Sequence, residues 1–243
     1  MIKVFQSEFL KLKKSSIWLL IFVSPLLSTL VGIGEAFVGD SNEEEWLITL
    51  SIMSYIHALL FLPLLTGVFS AFVCRYEHVG GGWKQLLALP VSRGNIYSVK
   101  FLLVIMLLAL TQLLFTVGVL SVGFIKGYNE AIPVGEILKS VMGGWIACMP
   151  LAALQMFVSV AWSSFAAPLA INVIFTLPNI LVVNSAKYGP YSPWAQPFLA
   201  MMPRFDESFG ALNVPPETLF IVIFGSFALF FLSGFTYFQR KEI

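Results

Sequence analysis

The 243 residues are 58% hydrophobic and only 11% charged, with 14 Lys+Arg against 13 Asp+Glu and a net charge of +1. A mean hydropathy of +0.87 excludes a soluble domain of this length, whose surface would need far more charge. Several apolar runs reach the ~20 residues that cross a bilayer core of ~30 Å, so the chain reads as an all-α, multi-span membrane protein.

In chain order, the first predicted element precedes any span. Ile2, Phe5, Phe9, Leu12 and Ser16 recur every three or four residues, while Lys11, Lys13 and Lys14 fall largely off that stripe. The pattern predicts an interfacial helix on the inner membrane face, its lysines drawn to anionic lipid. A simple basic anchor would carry the same charges. The apolar run that follows is too long for a cleavable signal peptide and has no small-residue cleavage site near its end, so it is expected to be a retained span.

Six transmembrane helices are expected, at residues 17–38, 47–74, 101–125, 141–163, 165–183 and 218–238. The first carries Glu35 in its last turn, where head groups begin. It is followed by Asp40, Glu43, Glu44 and Glu45, an acidic cluster that reads as a receiving surface for cationic peptides or as a hydrated loop. Pro25, Pro63, Pro150 and Pro178 fall inside the first, second, fourth and fifth spans, where each removes a backbone bond and can kink its helix. Cys74 and Cys148 are expected on the order of tens of Å apart in depth, beyond bridging reach, as buried apolar residues. The fourth and fifth spans are joined by the uncharged turn AWSSFAAP.

Residues 184–217 hold six of the thirteen prolines and no run long enough to cross, so this segment is expected to be re-entrant or interfacial at the outer leaflet. Ser192 is positioned as an N-cap with Pro193 at the first helical position. Trp194, Phe198, Met201 and Met202 would form the apolar side, Trp194 completing an outer peptide surface.

With the N-terminus inside, residues 1–16, 75–100 and 239–243 hold ten of the fourteen basic residues and only three acids, Glu8, Glu77 and Glu242. That bias places both termini in the cytoplasm. One domain, residues 1–243, accounts for the whole chain.

Catalytic chemistry is not evident. The two histidines, His57 and His78, lack metal-spaced partners, and neither a nucleophile elbow nor a phosphate-binding G-x-x-x-x-G-K-[ST] loop occurs. No catalytic residue and no metal ligand is assigned. Inside the spans, His57, Gln112, Gln155, Asn172, Thr176 and Asn179 are the uncharged polar groups. Asn172, Thr176 and Asn179 share one helical face, which either bonds neighbouring helices or lines a watery path.

The remaining polar island is the loop YEHVGGGWKQLLALPVSRGNIYSVKF. From Gly82, Trp83, Leu86 and Leu87 fall on one helical face and Lys84 and Gln85 elsewhere. Pro90 ends that helix at Leu89, and Ser92 is placed to cap a helix beginning near Arg93. The result is a short amphipathic helix between the second and third spans, hinged by Gly80–Gly82 and Pro90.

The order Glu77, Gly81, Gly82, Trp83, then LLALPVSR and Lys100, resembles the corresponding loop of type-2 ABC-transporter permeases. So do the FQSEFLKLKKS start, the six spans and the long outer excursion. The chain looks most like the permease subunits of lantibiotic-immunity exporters. The resemblance implies a cytoplasmic coupling helix, with Glu77, Gly81, Gly82, Trp83, Leu86, Leu87, Pro90, Ser92 and Arg93 engaging a separate ABC ATPase subunit in two copies. It implies no cofactor in this chain, ATP and magnesium being bound by the ATPase. It implies a second permease, a different chain, facing Tyr55, His57, Asn172, Thr176 and Asn179 across the substrate route. Membrane lipid and an antimicrobial peptide complete the expected partners, with no nucleic acid, in a bacterial cytoplasmic membrane. A permease for a bacitracin-type peptide, a drug or a lipid is the alternative, as is a sensor or scaffold that only docks a soluble partner.

Overall fold

The computed structural model describes residues 2–13, 15–35, 45–78, 82–88, 90–204 and 210–241, the side chain of Leu87 excepted, and its regular structure is entirely helical. Helix α1 (Ile2–Lys13) precedes α2 (Ile17–Gly34). Helix α3 (Glu45–Ile56) continues through a π-helical turn at His57–Phe61 into α4 (Leu62–His78). The short α5 (Gly82–Leu87) leads to α6 (Arg93–Lys126) and α7 (Val134–Ala161). Then come α8 (Ala166–Thr176), α9 (Asn179–Val183), α10 (Gln196–Met201) and α11 (Pro216–Arg240).

Five segments are long and apolar enough to cross a membrane: Ile17–Gly34, Glu45–His78, Arg93–Lys126, Val134–Ala161 and Pro216–Arg240. Helix α7 is central and touches α4, α6, α10 and α11, while α2 lies along α6. Leu19, Leu26 and Leu30 on α2, and Ile221, Phe224, Leu229 and Leu232 on α11, point away from the bundle. Outward-facing apolar side chains on this scale suit a lipid solvent and would be an aggregation hazard in water.

The expected continuous fifth span is instead two short helices. Pro178 cannot donate to the preceding turn, α8 stops at Thr176, and Leu177–Pro178 form a turn before α9. At ~1.5 Å per residue, eleven residues of α8 cover only about 16 Å. Pro63 likewise follows an irregularity, the π-turn, whereas Pro25 and Pro150 leave α2 and α7 continuous.

The helix expected from Pro193 begins three residues later, at Gln196. A 3-10 turn at Gly189–Tyr191 comes first, and the Ser192 carbonyl, not its hydroxyl, accepts from the backbone of Ala195 and Gln196. Both cysteines are free and buried as expected. Their separation is smaller than expected, because Cys74 lies against Met156, two turns along α7 from Cys148, about 12 Å of rise.

Candidate functional site

Helix α5 is short but firmly seated. Trp83 is buried, its indole N–H donating to His78 Nδ1 at 3.3 Å, and the other His78 nitrogen donates to the Ser159 carbonyl at the end of α7 at 2.7 Å. Its ring also packs on Phe238 of α11, centroids 5.2 Å apart. One indole therefore ties α5 to the ends of α4, α7 and α11. Leu86 packs partly buried on the core, while Lys84 and Gln85 face outward. A Cβ on Gly82 would lie 2.8 Å from Glu77 Cα and from the Tyr76 carbonyl oxygen, both backbone atoms. Gly82→Ala is therefore expected to push α5 off its base and lower thermal stability in detergent by about 1–3 kcal/mol. An unchanged melting curve would show that the turn has room to spare.

Beneath α5 lies a ring of four charges. Lys11 Nζ meets Glu8 Oε1 at 2.5 Å and Glu77 Oε1 at 2.8 Å. Lys100 Nζ meets the other oxygen of each, Glu8 Oε2 at 2.5 Å and Glu77 Oε2 at 2.9 Å, and donates to the Val73 carbonyl at 2.8 Å. The side chains of Lys100, Glu77 and Glu8 are 1%, 2% and 3% exposed, and that of Lys11 33%. Lys100 also lies 5.7 Å from the centre of the Trp83 ring, a cation–π distance. Two acids and two bases sum to zero, and that balance allows charges to be buried at all. Burial opposes ionisation of Glu8, but Lys100 and then Lys11 outweigh it and hold its pKa below the ordinary value.

Of the expected coupling residues, Glu77, Trp83 and Leu86 are thus brought together. Ser92 caps α6, its Oγ accepting from Asn95 N–H at 3.3 Å. Arg93 turns to the end of α11 and donates to the carbonyls of Gln239 and Lys241 at 3.1 and 2.7 Å, where a cation also complements the helix dipole. Pro90 is exposed, and Gly81 and the Leu87 side chain lie outside the described residues. Lys11, expected to reach for lipid, turns into the ring instead, because Glu8 one turn back and Glu77 offer it carboxylates. Glu8 was not singled out by sequence reasoning. Its usable signal was an acid and a base at i, i+3 on an otherwise apolar helix face.

The polar residues of the expected substrate route are inside the bundle. Asn172 uses all four of its hydrogen-bonding positions. Its Nδ2 donates to the carbonyls of Pro63 and Leu64 at 3.0 and 3.1 Å, and its Oδ1 accepts from Trp194 Nε1 at 2.9 Å and Gln155 Nε2 at 3.2 Å. The amide fits because Gly67 has no side chain; a Cβ there would overlap it. Asn179 Nδ2 donates to the carbonyls of Leu59 and Trp194 at 3.2 and 2.8 Å. Leu59 lies four residues before Pro63, so its carbonyl is the one an α-helical N–H at position 63 would serve. Thr176 bonds back to the Asn172 carbonyl.

His57 is fully buried, Nδ1 2.6 Å from Ser24 Oγ and Nε2 3.3 Å from Gln112 Oε1, with its ring stacked on Phe115. Since Gln112 Oε1 only accepts, this geometry fits the tautomer with the proton on Nε2. His57, Asn172 and Asn179 therefore bond neighbouring helices, Thr176 bonds back within α8, and all four are buried. Tyr55 alone of that set is exposed, its ring edge-on to Phe198.

Trp194 corrects the expectation of an outer surface. It is buried, stacks on Phe175 and is held by Asn172 and Asn179. An indole N–H buried in the bundle needs an acceptor, and Asn172 supplies it there. Glu45 is the half-buried first residue of α3, and Asp40, Glu43 and Glu44 lie outside the described residues.

Comparison with known proteins adds to this geometry. Residues 4–179, which include most of α1, the charge ring, α5 and Asn172, match the family described as ABC-2 family transporter protein. The chain is similar to the bacitracin transport permease protein BCRB of Bacillus licheniformis, with 23% identity over 192 residues, 78% of this chain and 88% of that protein. With most of its length matched and five helices able to cross a membrane, this chain belongs to the ABC-2 transporter family, as a type-2 ABC permease, the membrane component that works with an ABC ATPase.

Proposed function

We propose that this chain is the permease subunit of an ABC exporter that expels a lantibiotic-type antimicrobial peptide from a bacterial membrane, giving self-immunity. A separate ATPase binds ATP and magnesium and docks on α5. The termini and α5 face the cytoplasm, the broken α8–α9 pair serves as the sixth crossing, and a second, different permease completes the pathway. The single observation that carries the ATPase-docking part is the build of α5: Lys84 and Gln85 point outward from a helix whose Trp83 is wedged among three helix ends. A push on the outward face is then passed to the bundle without being absorbed by the loop. The ten-to-three excess of basic over acidic residues in residues 1–16, 75–100 and 239–243 supports the orientation.

A second reading keeps the mechanism and changes the cargo to a bacitracin-type peptide, and the likeness to a bacitracin transport permease favours it. Sensitive cells expressing this chain with its ATPase and partner permease, challenged with lantibiotics and with bacitracin, separate the two by which challenge is survived. The variant Lys84→Glu with Gln85→Glu is expected to lose protection and to weaken ATPase co-purification about tenfold or more at unchanged melting temperature. Survival of neither challenge by the wild-type complex would remove the export reading. Full protection by the variant would remove α5 as the docking element.

A further inference from the structure

The charge ring divides along element boundaries in a particular way. Helix α1 supplies both Glu8 and Lys11, which pair with each other at 2.5 Å, while α4 and α6 supply Glu77 and Lys100, which pair at 2.9 Å. Each half is neutral by itself. If α1 lifts away, it takes a complete ion pair with it and leaves a complete ion pair behind. No lone charge is stranded in the apolar interior, the event that makes breaking a buried pair so costly. Had α1 carried two acids against two bases on the body, release would have stranded two like charges.

The rest of the seam agrees. A pocket of about 150 Å³ lies along it, between Lys3, Val4 and Ser7 on one side and Leu86, Val91 and Ile96 on the other, and an open groove between Val4 and Val91 continues from it. Incomplete packing forfeits dispersion contacts and lowers the cost of parting. The described part of the connection to α2 is the Ser15–Ser16 turn. Leu86 of α5 faces α1 across the pocket of about 150 Å³.

We propose that α1 is a detachable brace: docked, it holds α5 against the bundle, and released, it frees α5 to move while Glu77 and Lys100 remain paired. The transport arm of the test rests on the export reading; the labelling arm does not. Ile96 is fully buried beneath α1, so a thiol at Ile96→Cys reports on release, the native cysteines being buried elsewhere. Adding Glu8→Gln with Lys11→Gln removes the α1 half and keeps the Glu77–Lys100 pair. It is expected to raise maleimide labelling of that thiol about tenfold or more. Neutralising the exposed Glu136–Lys139 pair at the start of α7 should leave the rate unchanged.

In the second arm, Val4→Cys and Val91→Cys are bridged by a short, reducible bis-methanethiosulfonate reagent. Bridging should abolish export while the ATPase stays bound, and reduction should restore it, which also shows that the variant is folded. Labelling of Ile96→Cys that ignores the loss of the α1 half, or export undiminished by the bridge, would overturn the proposal. If the unbridged wild-type complex exports nothing, the export reading fails and the labelling arm still decides the brace.

Discussion

Lys100→Met is expected to destabilise the protein by about 3–5 kcal/mol, because it leaves Glu8 and Glu77 buried with only Lys11 between them. The informative comparison is the double variant Lys100→Met with Glu8→Gln. It keeps only Lys11 and Glu77, restores neutrality, and should be more stable than the Lys100→Met single. Thermal unfolding in detergent measures both. The wild-type protein should also lose the contribution of Glu8 in acid. Its folded pKa is depressed, so the contribution is complete above the ordinary value of 4.5 and disappears as pH falls through the lower folded value. In Lys100→Met, where the largest charge lowering that pKa is gone, the folded value rises toward or past the ordinary one, so the acid loss attributable to Glu8 should shrink or vanish. A single variant at least as stable as the double would mean that the ring does not act as one balanced unit.

Asn172→Leu should have the second-largest effect, a loss of about 2–4 kcal/mol, since four hydrogen bonds vanish together and the Trp194 indole is left without an acceptor. Gly67→Ala attacks the same junction from the opposite helix and should act in the same direction. Both should loosen the segment that Asn172 holds, so a thiol at the fully buried Ala195 becomes reactive with small maleimides. Wild-type melting, with that thiol still protected, would reduce Asn172 to a bystander.

The polar residues of the expected fifth span are used up in bonds inside the bundle. Asn172 on α8 and Asn179 at the start of α9 lie on either side of the Leu177–Pro178 turn, and their amides are taken up by the carbonyls of Leu59, Pro63 and Leu64 and by Trp194. The irregular points of the backbone, the π-turn before Pro63 and the turn at Leu177–Pro178, sit against these amides. Breaks in helices at membrane depth persist only where other groups satisfy the freed backbone; here Asn179 does so for the Leu59 carbonyl, and Asn172 ties the next turn of α4 to α8.

Much of the architecture was legible in the chain itself. Apolar runs near twenty residues can be satisfied in lipid only as helices, so the helical class and most of the membrane-length segments follow from hydropathy. Ser92 before Arg93 reads as a cap, and Gly82-Trp83 followed by Leu86 and Pro90 reads as a short amphipathic helix. These are local properties, decided by neighbours within a turn or two. Partner choice is not local. Glu8 and Lys100 are 92 positions apart, and nothing in either neighbourhood says that they meet. Pro178 marked a weak point in the fifth span, but whether a proline breaks a helix depends on whether another element supplies the missing donor. Residue type likewise could not say which way Asn172 or Trp194 would face, since a polar stripe serves equally well as a route or as a joint. Tertiary packing made it a joint, because buried donors and acceptors cost more left open than paired, and Trp194 was close enough to pair.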